Sequence, residues 1–170
     1  ILAGSHVDTV RSGGKYDGAL GVLAMLEAIQ TFKEHDLQLE HPIELLITKD
    51  EEGTRFNSTL FGSGAMAGKI TAKDLQHVDQ SGITLAAAMQ ELGYDPEQFQ
   101  LARKNRGDFA AYLEVHIEQG KVLETSGTQI GIVTGIALAA KHADPSVKVM
   151  CVEPEGFDDL TRSLASGKRE

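Results

Sequence analysis

Apolar and polar positions along this chain switch between two periods, and the switches mark its elements. Residues 1–5 are short and apolar and run into Ser5-His6-Val7-Asp8-Thr9, which reads as a strand with a polar end. The first residue already belongs to that pattern, so the chain reads as one that begins inside a strand. Ser12, Gly13, Gly14 and Gly18 make residues 11–18 a loop. From Ala19 to about His35, the residues Val22, Met25, Leu26, Ile29 and Phe32 recur at helical spacing and predict an amphipathic helix, with Asp17 where an N-cap would stand. Pro42 opens Ile43–Thr48, nearly continuously apolar, the pattern of a strand buried on both faces. Thr71-Ala72-Lys73-Asp74 is similar to a capping box ahead of a short helix, and Thr84–Leu92 predicts another helix ended by Gly93. Ala111–Ile117 alternates, with Tyr112, Glu114 and His116 on one face and Leu113, Val115 and Ile117 on the other. Residues 130–134 predict a further short strand. Strands alternating with helices imply an α/β fold.

The 170 residues are enough for one domain with a core. A formal net charge of -9 argues against nucleic acid and against an anionic membrane surface as partners, since both select clustered Lys and Arg. Cys151 is the single cysteine, so no internal disulfide can form, which fits a cytoplasmic protein. The apolar runs fall short of the roughly 20 residues a membrane span needs. The N-terminus lacks the basic segment of a signal peptide.

The chemistry-bearing side chains gather where strands end. His6 and Asp8 follow the first strand, Asp17 lies in the glycine-rich loop, Glu51 and Glu52 end the second strand, and His116 stands near the end of a third. Ligands bind at strand ends in α/β sheets, and a cation needs several imidazole or carboxylate groups at once. Each residue alone has a plainer reading: a hydrogen-bonded loop histidine, a helix N-cap, a solvated charge pair, a sheet histidine. Adjacent Glu51 and Glu52 repel unless a cation or a proton intervenes, so the joint pattern favours a metal site.

Gly4-Ser5-His6-Val7-Asp8-Thr9-Val10, with Gly14-Lys15-Tyr16-Asp17-Gly18-Ala19-Leu20-Gly21-Val22, resembles the opening motif of the metal-dependent amidohydrolases. That family includes N-carbamoyl-L-amino-acid hydrolases, allantoate amidohydrolases and β-ureidopropionases. Glu51-Glu52-Gly53-Thr54-Arg55-Phe56 and His116-Ile117-Glu118-Gln119-Gly120 resemble its second and third motifs, in the same order and spacing. The resemblance covers residues 1–135. It implies a three-layer sandwich with a mixed, largely parallel sheet, like the catalytic domain of the dizinc aminopeptidases. It further implies two divalent ions (Zn, Mn, Co or Ni). His6 and His116 would hold one, Asp17 would bridge both, and Glu52 would bind the second. Glu51 would be the general base, Asp8 would orient the His6 ring by a hydrogen bond, and Gln119 would contact a small-molecule substrate. The activity implied is hydrolysis of amide or ureido C–N bonds, releasing carbon dioxide and ammonia from a carbamoyl group.

The chain departs from that family after residue 135. Members are over twice as long, with a lid domain that serves in dimerisation and a last metal-binding histidine near the C-terminus, and neither is found here. Residues 136–170, with Val147-Lys148-Val149-Met150-Cys151-Val152-Glu153-Pro154-Glu155-Gly156, resemble instead a strand–helix segment of pyridoxal-phosphate-dependent threonine or serine dehydratases. They lack that family's Schiff-base lysine and phosphate loop, so no pyridoxal phosphate is expected. The two parts then read as a partial catalytic domain and a tail of different origin. The alternative to an active hydrolase is a truncated or chimeric fragment that binds metal without turnover.

Overall fold

The computed structural model describes residues 1–131, in two units: Ile1–Ile117, and a second that begins at Glu118. The tail of apparently different origin and most of the strand expected at 130–134 lie outside the described residues.

In the first unit, β1 (Leu2–His6) is the middle strand of a three-stranded parallel sheet in the order β2-β1-β3. Its five residues are all buried, as the apolar opening predicted. β2 (Glu44–Thr48) pairs with it from Leu2↔Glu44 to His6↔Thr48, and β3 (Tyr112–Leu113) pairs at Leu2↔Tyr112 and Ala3↔Leu113. Parallel strands release their chains at the same end. The residues after His6, after Thr48 and after Leu113 therefore converge, and those are the three acidic and imidazole segments.

Helix α1 (Ala19–Glu34) crosses between β1 and β2 and packs on both strands. It buries Gly21, Val22 and Met25, with Ile29 and Phe32 half-buried, as the helical spacing predicted. Leu26, expected on the same stripe, is 49% exposed.

Three expectations change. β2 is not buried on both faces: Ile47 is exposed and Leu45 and Leu46 half-buried, because β2 is an edge strand among the described residues. The strand expected over 111–117 forms only two ladder residues, and its apolar side, Leu113 and Val115, is exposed while Glu114 and His116 are more covered. The sheet is wholly parallel among the described residues rather than mixed.

Residues 56–102 pack separately against Phe56, Leu75, Leu85 and Ala88, a small apolar core joined by Phe61, Met89 and Phe99. It contains α2 (Phe61–Met66), single 3-10 segments at Asp74–Gln76 and Pro96–Ala102, and α3 (Leu85–Glu91). Thr84 caps α3 by accepting from the Ala87 N–H, and Gly93 follows it at φ +83°, as its start and stop signals predicted. The Thr71 signal opens only a 3-10 turn, in which the Asp74 carboxylate accepts from both the Thr71 N–H and its hydroxyl. In the second unit, the Glu118 carboxylate accepts from the Val122 and Leu123 N–H groups at the start of α4 (Val122–Ser126).

Candidate metal centre

The last residue of β1 brings the first candidate ligand. His6 is 2% exposed, and its Nδ1–H donates to the main-chain carbonyl of Asp8 at 2.8 Å. A carbonyl only accepts, so Nδ1 carries a proton, and in the neutral ring Nε2 keeps its lone pair. His116 repeats the arrangement: its Nδ1–H donates to the Ile117 carbonyl at 2.9 Å. The two Nε2 atoms then face each other at 3.3 Å. As neutral rings with Nδ1 protonated they would oppose two lone pairs, an arrangement that a cation or a proton between them relieves.

Asp17 closes the group. Its Oδ1 stands 3.3 Å from His116 Nε2 and 4.0 Å from His6 Nε2, and the residue is buried. The N-cap expectation for Asp17 is corrected here. The residue before α1 is Gly18, at φ +65°, and the helix start has no side-chain cap. A Cβ at Gly18 would lie 2.4 Å from His6 Nδ1, so glycine both turns the chain and leaves room for the imidazole. That turn aims Asp17 at the histidines instead of at the helix.

Glu51 and Glu52 arrive from the loop after β2. Carbonyls of Lys49, Asp50 and Glu51 accept from Gly62, Phe61 and Leu60, folding the loop back on itself. The Glu52 N–H donates to Asp8 Oδ2 at 3.0 Å, which ties this loop to the end of β1. Glu51 Oε2 stands 3.8 Å from His6 Nε2. Two sets of ligand atoms thus lie within 4.8 Å of one another: His6, Asp17 and His116, and His6, Glu51 and Glu52. Asp8 acts on His6 mainly through its main-chain carbonyl, since its carboxylate Oδ1 is 3.8 Å from Nδ1. Gln119 lies in the second unit, at φ +55°.

Electrostatics mark the same place. Burial, then the charges of Asp17 and Glu51, hold the Glu52 carboxyl above the usual carboxylate range. Glu52 Oε1 and Asp8 Oδ1 are buried with no hydrogen-bond partner among the described residues. A divalent cation would satisfy these atoms and reverse the repulsion. The spacing fits as well. Two ligand atoms about 2.0–2.1 Å from one tetrahedral ion stand roughly 3.3 Å apart, which matches both 3.3 Å separations. The residues present therefore fit a cation bound among His6, Asp17 and His116.

Three groups around the site were not singled out in the sequence. Ser5 donates to Glu114 Oε1 at 2.5 Å, and Tyr112 donates to Glu114 Oε2 at 2.8 Å. Burial, then the hydrogen bond to Glu114, keep the Tyr112 phenol above its ordinary pKa, so it remains a donor. The signal was present in the shared face of Tyr112, Glu114 and His116.

The sequence matches the family described as Peptidase family M20/M25/M40 over residues 2–169. It is 50% identical over 137 residues to an N-carbamoyl-L-amino acid amidohydrolase of Geobacillus stearothermophilus, covering 81% of this chain and 34% of the relative. It is 47% identical over 138 residues to an allantoate amidohydrolase of Bacillus subtilis, covering 81% and 33%. The fold is similar to the crystal structure of a hydantoinase/carbamoylase family amidase from Burkholderia ambifaria. The TM-score is 0.65 and the identity 37%, over 75% of this chain and 31% of that one. The chain spans about a third of the length of the curated relatives it matches. The likeness of residues 136–170 to a dehydratase finds no support here, the family match running through them to residue 169.

Proposed function

The chain belongs to the M20/M25/M40 peptidase family, a metal-dependent family, and from that premise we propose that it carries metal-binding and catalytic residues of a hydrolase of non-peptide C–N bonds. The substrate class is an N-carbamoyl-L-amino acid or allantoate, as the activities for which its relatives are named suggest. The observation that carries the reading is the pair of imidazole Nε2 atoms facing each other beside a buried carboxylate.

In this reading His6 and His116 hold one of two divalent ions, Asp17 bridges, and Glu52 binds the second; Zn, Mn, Co and Ni all suit such ligands. When bound, the ions supply a Lewis acid for the substrate carbonyl and lower the pKa of water toward about 7. Glu51 takes the proton from the attacking water and returns it to the leaving nitrogen. Its position beside His6 Nε2 suits that task. Asp8 holds the His6 ring through its carbonyl and holds the Glu52 backbone through its carboxylate. Gln119 contacts substrate. A carbamoyl group leaves as carbon dioxide and ammonia. The same reading includes the dizinc-aminopeptidase-like sandwich and a cytoplasmic location, with dimerisation through a lid domain expected of full-length relatives. Among the described residues no helix is long and apolar enough to cross a membrane.

The test is ammonia release from N-carbamoyl amino acids and allantoate with added Mn²⁺, Co²⁺ or Zn²⁺, beside a calorimetric metal titration. Glu51→Gln should keep metal binding and lower turnover by about 10²–10⁴-fold. Full turnover in that variant rejects Glu51 as the base, and absence of metal binding by the unaltered chain rejects the centre. Metal uptake without ammonia release would support a segment that binds metal and does not turn over by itself.

A further inference from the structure

His6 ends β1 and His116 lies three residues beyond β3, so the two must be held at a fixed separation where the β1–β3 ladder no longer reaches. Its last rung is Ala3↔Leu113, three residues short of both His6 and His116. The hydrogen bond that spans the interval is Ser5 to Glu114, at 2.5 Å. Ser5 immediately precedes His6, is 2% exposed, and gives its hydroxyl to one carboxylate oxygen. Tyr112, on the ladder itself, gives its hydroxyl to the other oxygen at 2.8 Å. Both oxygens of Glu114 are thus engaged, and hydroxyl-to-carboxylate bonds of this length are the strong, charge-assisted kind. Helix α1 closes the third side. A Cβ at Gly21 would come 2.3 Å from the Val115 carbonyl oxygen and 2.7 Å from Ser5 Cβ, so the helix backbone lies directly on this junction.

We propose that Glu114 is a positioning residue. Clamped between Ser5 and Tyr112, it sets the separation at which His6 and His116 present Nε2 to a cation, a role that rests on the metal-centre reading above. Glu114 itself binds nothing. It replaces the missing rungs of the ladder, and the imidazole pair inherits its geometry. Groups one step removed from metal ligands commonly change affinity by about 10–100-fold when removed.

The experiment is Co²⁺ titration of the chain, following affinity and the visible absorption spectrum of the bound ion. Glu114→Ala should weaken Co²⁺ binding by about tenfold or more and alter the spectrum. Glu114→Gln, which still accepts from Ser5, should restore most of both. Ser5→Ala removes the same bond from the other side and covers the case in which Glu114→Ala does not fold. Its effect should not add to that of Glu114→Ala when the two are combined. A general packing role would lower the melting temperature and leave affinity and spectrum alone. Unaltered affinity and spectrum in Glu114→Ala, or in Ser5→Ala if the first does not fold, therefore overturn the clamp and leave the metal centre standing. No Co²⁺ uptake by the unaltered chain overturns the metal centre and the clamp with it.

Discussion

Asp50 and Glu52, beyond the end of β2, have carboxyls held above the usual range, by burial first and then by neighbouring carboxylates. Asp74 and Asp79, in the helical excursion, have theirs held below it. The cause there is hydrogen bonding: Thr71 donates twice to Asp74, and the Ile83 and Ser81 N–H groups donate to Asp79, which also pairs with Arg55. Those donors lie two to four residues away along the chain, apart from Arg55, so the excursion satisfies its own charges locally. At the sheet ends, Asp8, Asp50 and Glu52 each keep a buried oxygen with no partner among the described residues. One region is complete as folded. The other concentrates carboxylates and facing imidazole nitrogens at one point, which is a stability cost unless a cation or a proton intervenes.

If the helical excursion supports itself through its apolar core, truncating that core should have the largest effect. Leu85→Ala should lower unfolding free energy by about 2–5 kcal/mol in a denaturant titration, with metal affinity little changed. A matching loss of metal binding would mean that the two regions are not energetically separate.

A divalent ion should come next in size. At a free concentration about 100 times its Kd it should stabilise the chain by about 2.7 kcal/mol, read as a rise in thermal midpoint that His6→Ala abolishes. Its pH dependence has a definite sign. With the folded pKa of Glu52 raised, the stability this group contributes without metal is present below the ordinary carboxylate range and is lost as pH rises through the raised value. The ion displaces that proton, so the rise in midpoint should grow as pH rises above the ordinary carboxylate range. An increment that shrinks as pH rises there would contradict the assignment.

The smallest effect separates the regions most cleanly. Thr84→Ala removes the cap of α3 and should cost about 1 kcal/mol, with no change in metal affinity at any pH.

The excursion was also more legible in the sequence than the site's finer geometry. Thr84 and Gly93 announce α3 because caps are local signals between residues a few positions apart. The apolar spacing of α1 and the apolar run of β1 read correctly for the same reason. Asp17 shows where local signals fail. Its position before a helix predicted a cap, whereas its side chain faces His6 and His116, one of them 99 positions downstream. The motif resemblance named His6, Asp17, Glu51, Glu52 and His116, the side chains that the fold gathers. That Ser5 meets Glu114 depends on register between strands, which periodicity does not encode, and that Asp8 holds His6 through a carbonyl depends on the backbone path just after β1. The strand expected at 111–117 was too long because alternation describes the side chains, and a ladder also requires a partner backbone.

The distance in sequence between the two facing imidazoles has an entropic consequence. His6 and His116 are 110 positions apart. An ion gripped by both would act as a covalent cross-link does, closing a loop over most of the described chain and shrinking the conformational freedom of the unfolded ensemble. Bound metal would then serve as a fastener between the ends of the first unit as well as a reagent.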